Sequence, residues 1–454
     1  MTLDDMRAAV RDAPASDDLI VPLSSAQRSI WFSQQLDPTT PISIAQFVDV
    51  TGELDLDLLT RAGRRVVREF GVTMIRLVPA ERPGDAPSQR WDDDAPDEMS
   101  HLDFRDRPDP EAAARAWMDA EFRAPVDLFS DRLIESVTLR VGDRRYFWYM
   151  RVHHILLDGY GAAALTQRVA EVYSALAAGE EVSPTRAGTL ADLVADDEKY
   201  RSSTRFERDR AHWAKRLDDL PDPIRLADTS SAAGGMSRVA GGEVDAAAAA
   251  AISRFADEHT STVAAVVAAA AAAYLAQMAG TDDVVLSLPV SARTNALLRR
   301  SGGMVSNVVP IRATVDGDTT VADLVRAVTA EFGGALRHQR YRFEDMMRDR
   351  AQQQDESAVG RSFFGPAINV MMFRDEVRLG ECLGRSRILS TGPIQDLAFT
   401  VYGDGDYLRI DLEGAASAYP DTVLQRHRRR FLHLLDEIVG AAPDTAVASL
   451  RALS

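Results

Sequence analysis

Two histidines stand side by side in the run YFWYMRVHHILLDGYG, His153 and His154, and an Asp-Gly pair, Asp158 and Gly159, begins four residues after the second. A histidine titrates near 6.5 when unperturbed, which suits a base working near neutrality. Side chains alternate faces along a strand, so one imidazole faces the chemistry and the other the packing. Asp158 lies in the turn that Asp-Gly opens. There its carboxylate can reach back under the histidine or hold a neighbouring arginine that stiffens the loop. No enzyme nucleophile accompanies this base. The single cysteine, Cys382, has no histidine near it in sequence, and no G-x-S-x-G elbow occurs. A base without a nucleophile points to direct transfer, in which it helps an acceptor amine or hydroxyl attack an acyl group that arrives activated. A bare H-x-x-x-D-G can be purely structural. The full H-H-x-x-x-D-G, after an aromatic strand and before a helix, is much more specific.

The elements that position these residues are legible on either side. The segments LIESVTLRV and RRYFWYMRV read as a hairpin turning at Gly142-Asp143, with the second strand running into the histidines. AAALTQRVAEVYSALAAG reads as a helix stopped by Gly179. Upstream, VPLSSAQRSIWFSQQLDP reads as an entry loop and a helix capped by Ser24 or Ser25, with Ile30 and Gln34 on one face. AQFVDVTGEL and TMIRLVPA read as strands, DLDLLTRAGRRVVREFG and PEAAARAWMDAEFRAP as helices. Residues 81–110, rich in Pro and Asp, read as loop. EEVSPTRAGT reads as a linker, and beyond it come further helices and the strands DDVVLSLPVSA, VSNVVPIRATV, PAINVMMF, LAFTVYG and YLRIDLEG. The order of elements in the two halves is similar, which predicts two α/β lobes: 1–180, carrying the histidines, and 181–454.

The totals bound the function. The chain has 454 residues and a formal net charge of −17, which argues against general nucleic-acid binding. RHRRR, residues 426–430, is read as a solvated helix face. One cysteine permits no internal disulfide and fits a reducing, cytoplasmic setting. No Cys/His cluster suggests a metal. The N-terminus is acidic and unlike a signal peptide. The alanine-rich run at 261–280 reads as a buried core helix and not a membrane span.

With these motifs the sequence resembles the condensation domains of nonribosomal peptide synthetases, over almost the whole chain. HHILLDG, SSAQRSIW, GGMVSNVVPIR and HQRYRFE match the family's motifs. RHQRY, FGP..N and TGP..DL are shared with the enterobactin-synthase type, which takes aryl acids in siderophore assembly. The resemblance implies two chloramphenicol-acetyltransferase-like lobes in a V-shaped pseudo-dimer, with the active site in a tunnel between them. It implies an acyltransferase joining a carrier-bound acyl thioester, aryl or aminoacyl, to a carrier-bound aminoacyl amine. It implies no bound cofactor, since 4'-phosphopantetheine is carried by the partner carrier proteins. The donor carrier is expected in trans, because the chain begins some twenty residues before the first motif. By motif position His154 is catalytic, as base or as a positioner of the amine. His153, Asp158 and Gly159 hold the motif's shape, Arg293 pairs with Asp158 from the other lobe, and Asn307 orders a tunnel strand. Gly161 and Gln395 depart from the family pattern at positions implied to bear on acyl selectivity. Ser29 replaces the usual arginine of the opening motif. A free-standing relative acylating a soluble alcohol or amine is the alternative. A non-catalytic docking module is disfavoured because both histidines and the glycine are present. His338 is read as a helix-terminal histidine.

Overall fold

A computed structural model of the chain describes residues 20–38, 40–71, 73–82, 84–92, 99–227, 237–353, 364–372, 375–394, 396–404 and 407–452. The backbone forms two compact units. The first takes residues 1–203, 293–306 and 375–392; the second takes 204–292, 307–374 and 393–454. The boundary expected near residue 180 is therefore not where the chain divides. The segment read as a linker is anchored inside the first unit: Gly188 N–H donates to Ser301 Oγ at 2.7 Å. Arg168 also donates to the Ser183 carbonyl at 2.5 Å. Two later segments return to the first unit, a crossover that a linear reading cannot see.

The first unit is built on a six-stranded sheet in the order Glu376–Leu379, Cys382–Ser390, Ser43–Thr51, Arg145–His153, Ile134–Gly142, Ser100–Asp103. Its central strand, Arg145–His153, is buried on both faces. Trp148, Met150 and Val152 join a core with the helices Leu56–Phe70 and Gly159–Ala178. On the other face Phe147 packs on Phe47, with ring centroids 4.8 Å apart, and Tyr149 meets Trp117 of helix Pro110–Phe122 edge-on. Covering both faces explains the unbroken aromatic run, where a half-exposed strand would alternate. The hairpin turns one residue later than read: Gly142 pairs with Arg145, after a register shift between Arg140 and Gly142.

Strands Glu376–Leu379 and Cys382–Ser390 escaped the sequence reading. The first is a four-residue edge strand, too short to show a period, and the second is interrupted by Gly384 and two arginines and is half-buried over its second half. So did Ser88–Trp91 and Ser100–Asp103, inside the stretch read as loop. Ser88–Trp91 lies between Ile20–Pro22 and Ile75–Val78 in a small separate sheet.

The second unit carries its own six-stranded sheet, ordered Asn307–Thr314, Asp283–Val290, Ala367–Met371, Leu397–Asp404, Tyr407–Ala415, Ser237–Ala240. Its core includes the alanine-rich helix Val263–Ala279, in which every residue from Ala265 to Ala276 is buried. No single helix among the described residues is long and apolar enough to cross a membrane. The basic run at 426–430 lies on helix Asp421–Gly440. There His427 is buried against the Tyr274 hydroxyl at 2.6 Å, and Arg428 donates to the Gly242 carbonyl at 2.9 Å.

Candidate active site

Strand Arg145–His153 delivers the two histidines to the edge of the first unit's core. Antiparallel pairing sets Ser43 opposite His153, and His154 N–H continues the ladder to the Ile42 carbonyl at 2.9 Å. His153 is buried. Its Nδ1 accepts from Ile155 N–H at 3.2 Å, and Nε2 lies 3.1 Å from Gln34 Oε1. An acceptor at Nδ1 leaves the proton on Nε2, so the ring is neutral with a fixed tautomer. Burial, assisted by the charges of His154 and Arg151, pushes its pKa down to about 3. His153 is thus a packing residue.

His154 is partly exposed, and its Nε2 lies 3.2 Å from the Thr391 carbonyl. Burial lowers its proton affinity below the ordinary histidine value, while the Thr391 carbonyl and the Asp158 charge oppose that fall. The chain then turns through Ile155, Leu156 and Leu157, all buried, and this apolar turn anchors the loop in the core.

Asp158 ends the turn as the N-cap of helix Gly159–Ala178, and its Oδ1 accepts from Gly161 N–H at 2.8 Å. Its Oδ2 takes Arg293 Nη1 at 2.6 Å and the backbone N–H groups of Val305 and Ser306 at 3.0 and 2.8 Å. Burial alone would raise this carboxyl, but Arg293 and the backbone donors outweigh it and hold the pKa below the usual value. Arg293 is itself buried; it also donates to the Gly303 carbonyl at 3.1 Å and stands 4.5 Å over the Tyr160 ring. Arg293 and Asp158 belong to the same compact unit, so the pair does not come from opposite lobes as expected. The carboxylate is spent on this network.

The other positions named from sequence are placed as follows. Gly159 is the first residue of its helix. Gly161 is buried, and a Cβ there would stand 3.1 Å from Leu157 and 3.3 Å from the Gly303 carbonyl, so it packs the loop and faces no open space. Asn307 belongs to the second unit. Its amide donates to the carbonyls of Gln339 and Tyr341 at 2.9 and 2.7 Å and accepts from Phe343 N–H, ordering the turn after His338. His338 ends helix Val321–Arg337 and pairs with Asp209 at 2.7 Å. Gln395 lies outside the described residues. Arg28 serves its own helix start, donating to the Leu23 carbonyl and Ser25 Oγ.

Three contacts were missed. The opening motif supports the loop directly: Gln27, in a reciprocal amide pair with Gln89 at 2.8 Å, donates to the Ile155 carbonyl at 3.2 Å. Gln34, one face of the same helix, holds His153. The Thr391-Gly392 turn touches His154. All are polar residues at motif edges, but only the fold shows what they meet.

Beside the histidine strand, within the first unit, lies a cavity of about 230 Å³ whose lining is mixed: Met74, Met150, Leu165 and Val169 are apolar, while Arg64, Arg76, Asp92, Asp131 and Arg132 are charged. Met150 is four residues before His154 on the strand, hence roughly 13 Å away at ~3.3 Å per residue. Among the described residues no cluster of three or more His, Cys, Asp or Glu could hold a metal ion.

Comparison with known proteins places this geometry. The family model described as "Condensation domain" matches residues 18–454, and the chain belongs to that family. It is 32% identical over 448 residues to the dimodular nonribosomal peptide synthase of Bacillus subtilis (strain 168), covering 97% of this chain and 18% of the relative. It is 35% identical to the isonitrile lipopeptide synthase of Streptomyces coeruleorubidus, covering 95% and 29%. Enterobactin synthase component F of Escherichia coli (strain K12) is 28% identical, covering 91% and 32%, so the enterobactin type is one of several similar relatives. The chain thus spans less than a third of the length of these relatives. A mutant of the starter condensation domain of rhizomide synthetase RzmA, in complex with C8-CoA, superposes with a TM-score of 0.88 at 32% identity, covering 99% of this chain and all of that one. The first condensation domain of the calcium-dependent antibiotic synthetase gives 0.87 at 31%, covering 97% of this chain. The mixed α/β fold expected from sequence is the fold of these domains. They are acyltransferases that form amide bonds between carrier-bound substrates, whose phosphopantetheine arms lie on partner carrier domains.

Proposed function

We propose that this chain forms an amide bond between a carrier-bound acyl thioester and the amine of a carrier-bound amino acid, with His154 handling the proton of that amine. The observation that carries the reading is the division of labour in the HHILLDG loop. His153 is locked neutral and Asp158 is consumed by Arg293, which leaves the partly exposed His154 as the loop's group for proton handling. The thioester arrives activated. The protein's work is proximity and proton transfer: the amine's N–H passes to the imidazole as the C–N bond forms and the C–S bond breaks, and the thiolate regains a proton on leaving.

For the donor we propose an acyl group with an aliphatic tail, in preference to the aryl donor expected from the enterobactin-type likeness. Two things support this. A cavity of about 230 Å³ lies beside strand Arg145–His153, and Val67, Met74, Leu133, Met150, Leu165 and Val169 give it an apolar side that suits such a tail, alongside the charged Arg64, Arg76, Asp92, Asp131 and Arg132. Among the relatives, one is a lipopeptide synthase and one is a starter domain in complex with C8-CoA. The test is a mass-spectrometric condensation assay with aliphatic, aryl and aminoacyl groups loaded on donor carriers supplied in trans. Each is paired with an aminoacyl carrier or a soluble amine. Product on the acceptor carrier with aliphatic donors is the expected result. Product only with aryl donors overturns the donor assignment, and product only on a soluble acceptor overturns the carrier-bound acceptor.

A further inference from the structure

We infer that Gln34 is a positioning residue for His154, and that it acts through His153, whose ring relays a hydrogen bond to the peptide that follows His154. This rests on the reading of His154 as the residue that handles the amine's proton. A peptide plane lies on each side of His154, and both planes must be held if its ring is to stand still. The plane before it is held by backbone alone. The His153 carbonyl accepts from Leu156 N–H at 2.9 Å, and His154 N–H donates to the Ile42 carbonyl at 2.9 Å. The plane after it carries Ile155 N–H, and that donor goes to a side chain, His153 Nδ1, at 3.2 Å. An imidazole can accept there only with Nδ1 bare, hence neutral and with its proton on Nε2.

Gln34 supplies that condition. Its NH2 group faces carbonyls, 3.2 Å from Pro38 and 3.5 Å from Asp37 and Thr40, and carbonyls only accept. The amide is therefore turned so that Oε1 meets His153 Nε2 at 3.1 Å, and an oxygen there calls for Nε2–H. The opposite orientation would present an NH2 group, draw the proton onto Nδ1 and set it against Ile155 N–H. A neutral imidazole has its donor and its acceptor on separate nitrogens, which is what a relay between an oxygen and an N–H requires. The same helix, Ser25–Leu36, grips the loop at a second point. Gln27 stands seven residues before Gln34, about two turns, so both side chains leave one face. Gln27 donates to the Ile155 carbonyl at 3.2 Å. Ile155 is thus held at its carbonyl by Gln27 and at its N–H by Gln34 through His153. All four residues are buried, so water offers no ready substitute for a lost partner.

Gln34→Leu, in the intact chain with loaded carriers, removes the oxygen and keeps the bulk. Its kcat should fall roughly tenfold, the scale of a hydrogen bond or two that no longer select the working loop, while KM for both carriers stays within about twofold. A double-mutant cycle then asks whether the effect runs through His153. An asparagine at 153 can take Ile155 N–H on its own side-chain oxygen, the bond such side chains make two residues along the chain, and needs no Gln34 to set its form. Gln34→Leu should therefore cost its roughly tenfold in the wild type and nothing further in His153→Asn. An unchanged kcat, or additive losses in the cycle, overturns the inference. Selective ¹⁵N labelling of histidine, with His153→Asn identifying the resonance, should show His153 protonated at Nε2 and bare at Nδ1 in the wild type, and a mixture of the two forms in Gln34→Leu. Tyr173→Phe is the control for lost stability, since it removes a hydroxyl that accepts from Asp55 N–H at 3.1 Å. It should lower the melting temperature without moving kcat or the His153 signals. If Gln34→Leu does not fold, a wild-type His153 found protonated at Nδ1 overturns the inference instead. Activity surviving in His154→Ala would sink the functional reading, and the His153 nitrogen signals would still decide the relay.

Discussion

Asp158 and His154 stand in one loop and divide its work. Asp158 is buried with Arg293, and removing one member of a buried ion pair costs about 3–5 kcal/mol because the other is stranded. Arg293→Ala should therefore lose stability on that scale, read as a shifted denaturation midpoint, and activity should fall with the loop's order. His154→Ala should behave oppositely: its melting temperature should stay near the wild-type value while condensation falls by ~10²–10⁴-fold, the range of general acid–base catalysis. His153 adds a pH signature. Its folded pKa of about 3 lies below the ordinary value of 6.5. The unfolded chain therefore binds the proton first, and stability is lost as pH falls from about 6.5 towards about 3. A His153→Asn protein should be less stable near neutrality, and its melting temperature should fall less steeply over that window.

At the scale of elements, the histidine strand and the helix after it frame the apolar side of the cavity. Leu165 and Val169, one turn apart on helix Gly159–Ala178, line it together with Met150 of the strand. Val169→Phe should fill it. Each methylene excluded from burial is worth ~0.8 kcal/mol, about fourfold in binding. Rates with long aliphatic donors should thus fall progressively with chain length while short donors are spared. A uniform fall across lengths would place the tail elsewhere. The sequence announced the strand, the turn and the helix, because aromatic residues, Asp-Gly and Gly179 are local signals. It also announced Arg293 as the partner of Asp158, through motif position. It did not announce Gln34 holding His153 or Thr391 touching His154. Those contacts join residues 119 and 237 apart in the chain, and nothing local to either partner encodes them.

At the scale of the molecule, two compact units each carry a six-stranded sheet, and the first is completed by segments 293–306 and 375–392. The second of these brings strands Glu376–Leu379 and Cys382–Ser390 and the Thr391 turn; the first brings Arg293. Two similar halves were legible because helices and strands recur in similar order. The exchange of segments was not, since crossovers leave no trace in composition or periodicity. The central claim belongs to this scale, because the reaction needs both a donor and an acceptor carrier. The most direct measurement is a single-turnover assay of the wild type and His154→Ala with an octanoyl-loaded donor carrier and an aminoacyl acceptor carrier, read by intact-protein mass spectrometry. Octanoyl-aminoacyl product on the acceptor carrier with the wild type, lost in the folded variant, is the predicted result. Equal product from both proteins would contradict the account.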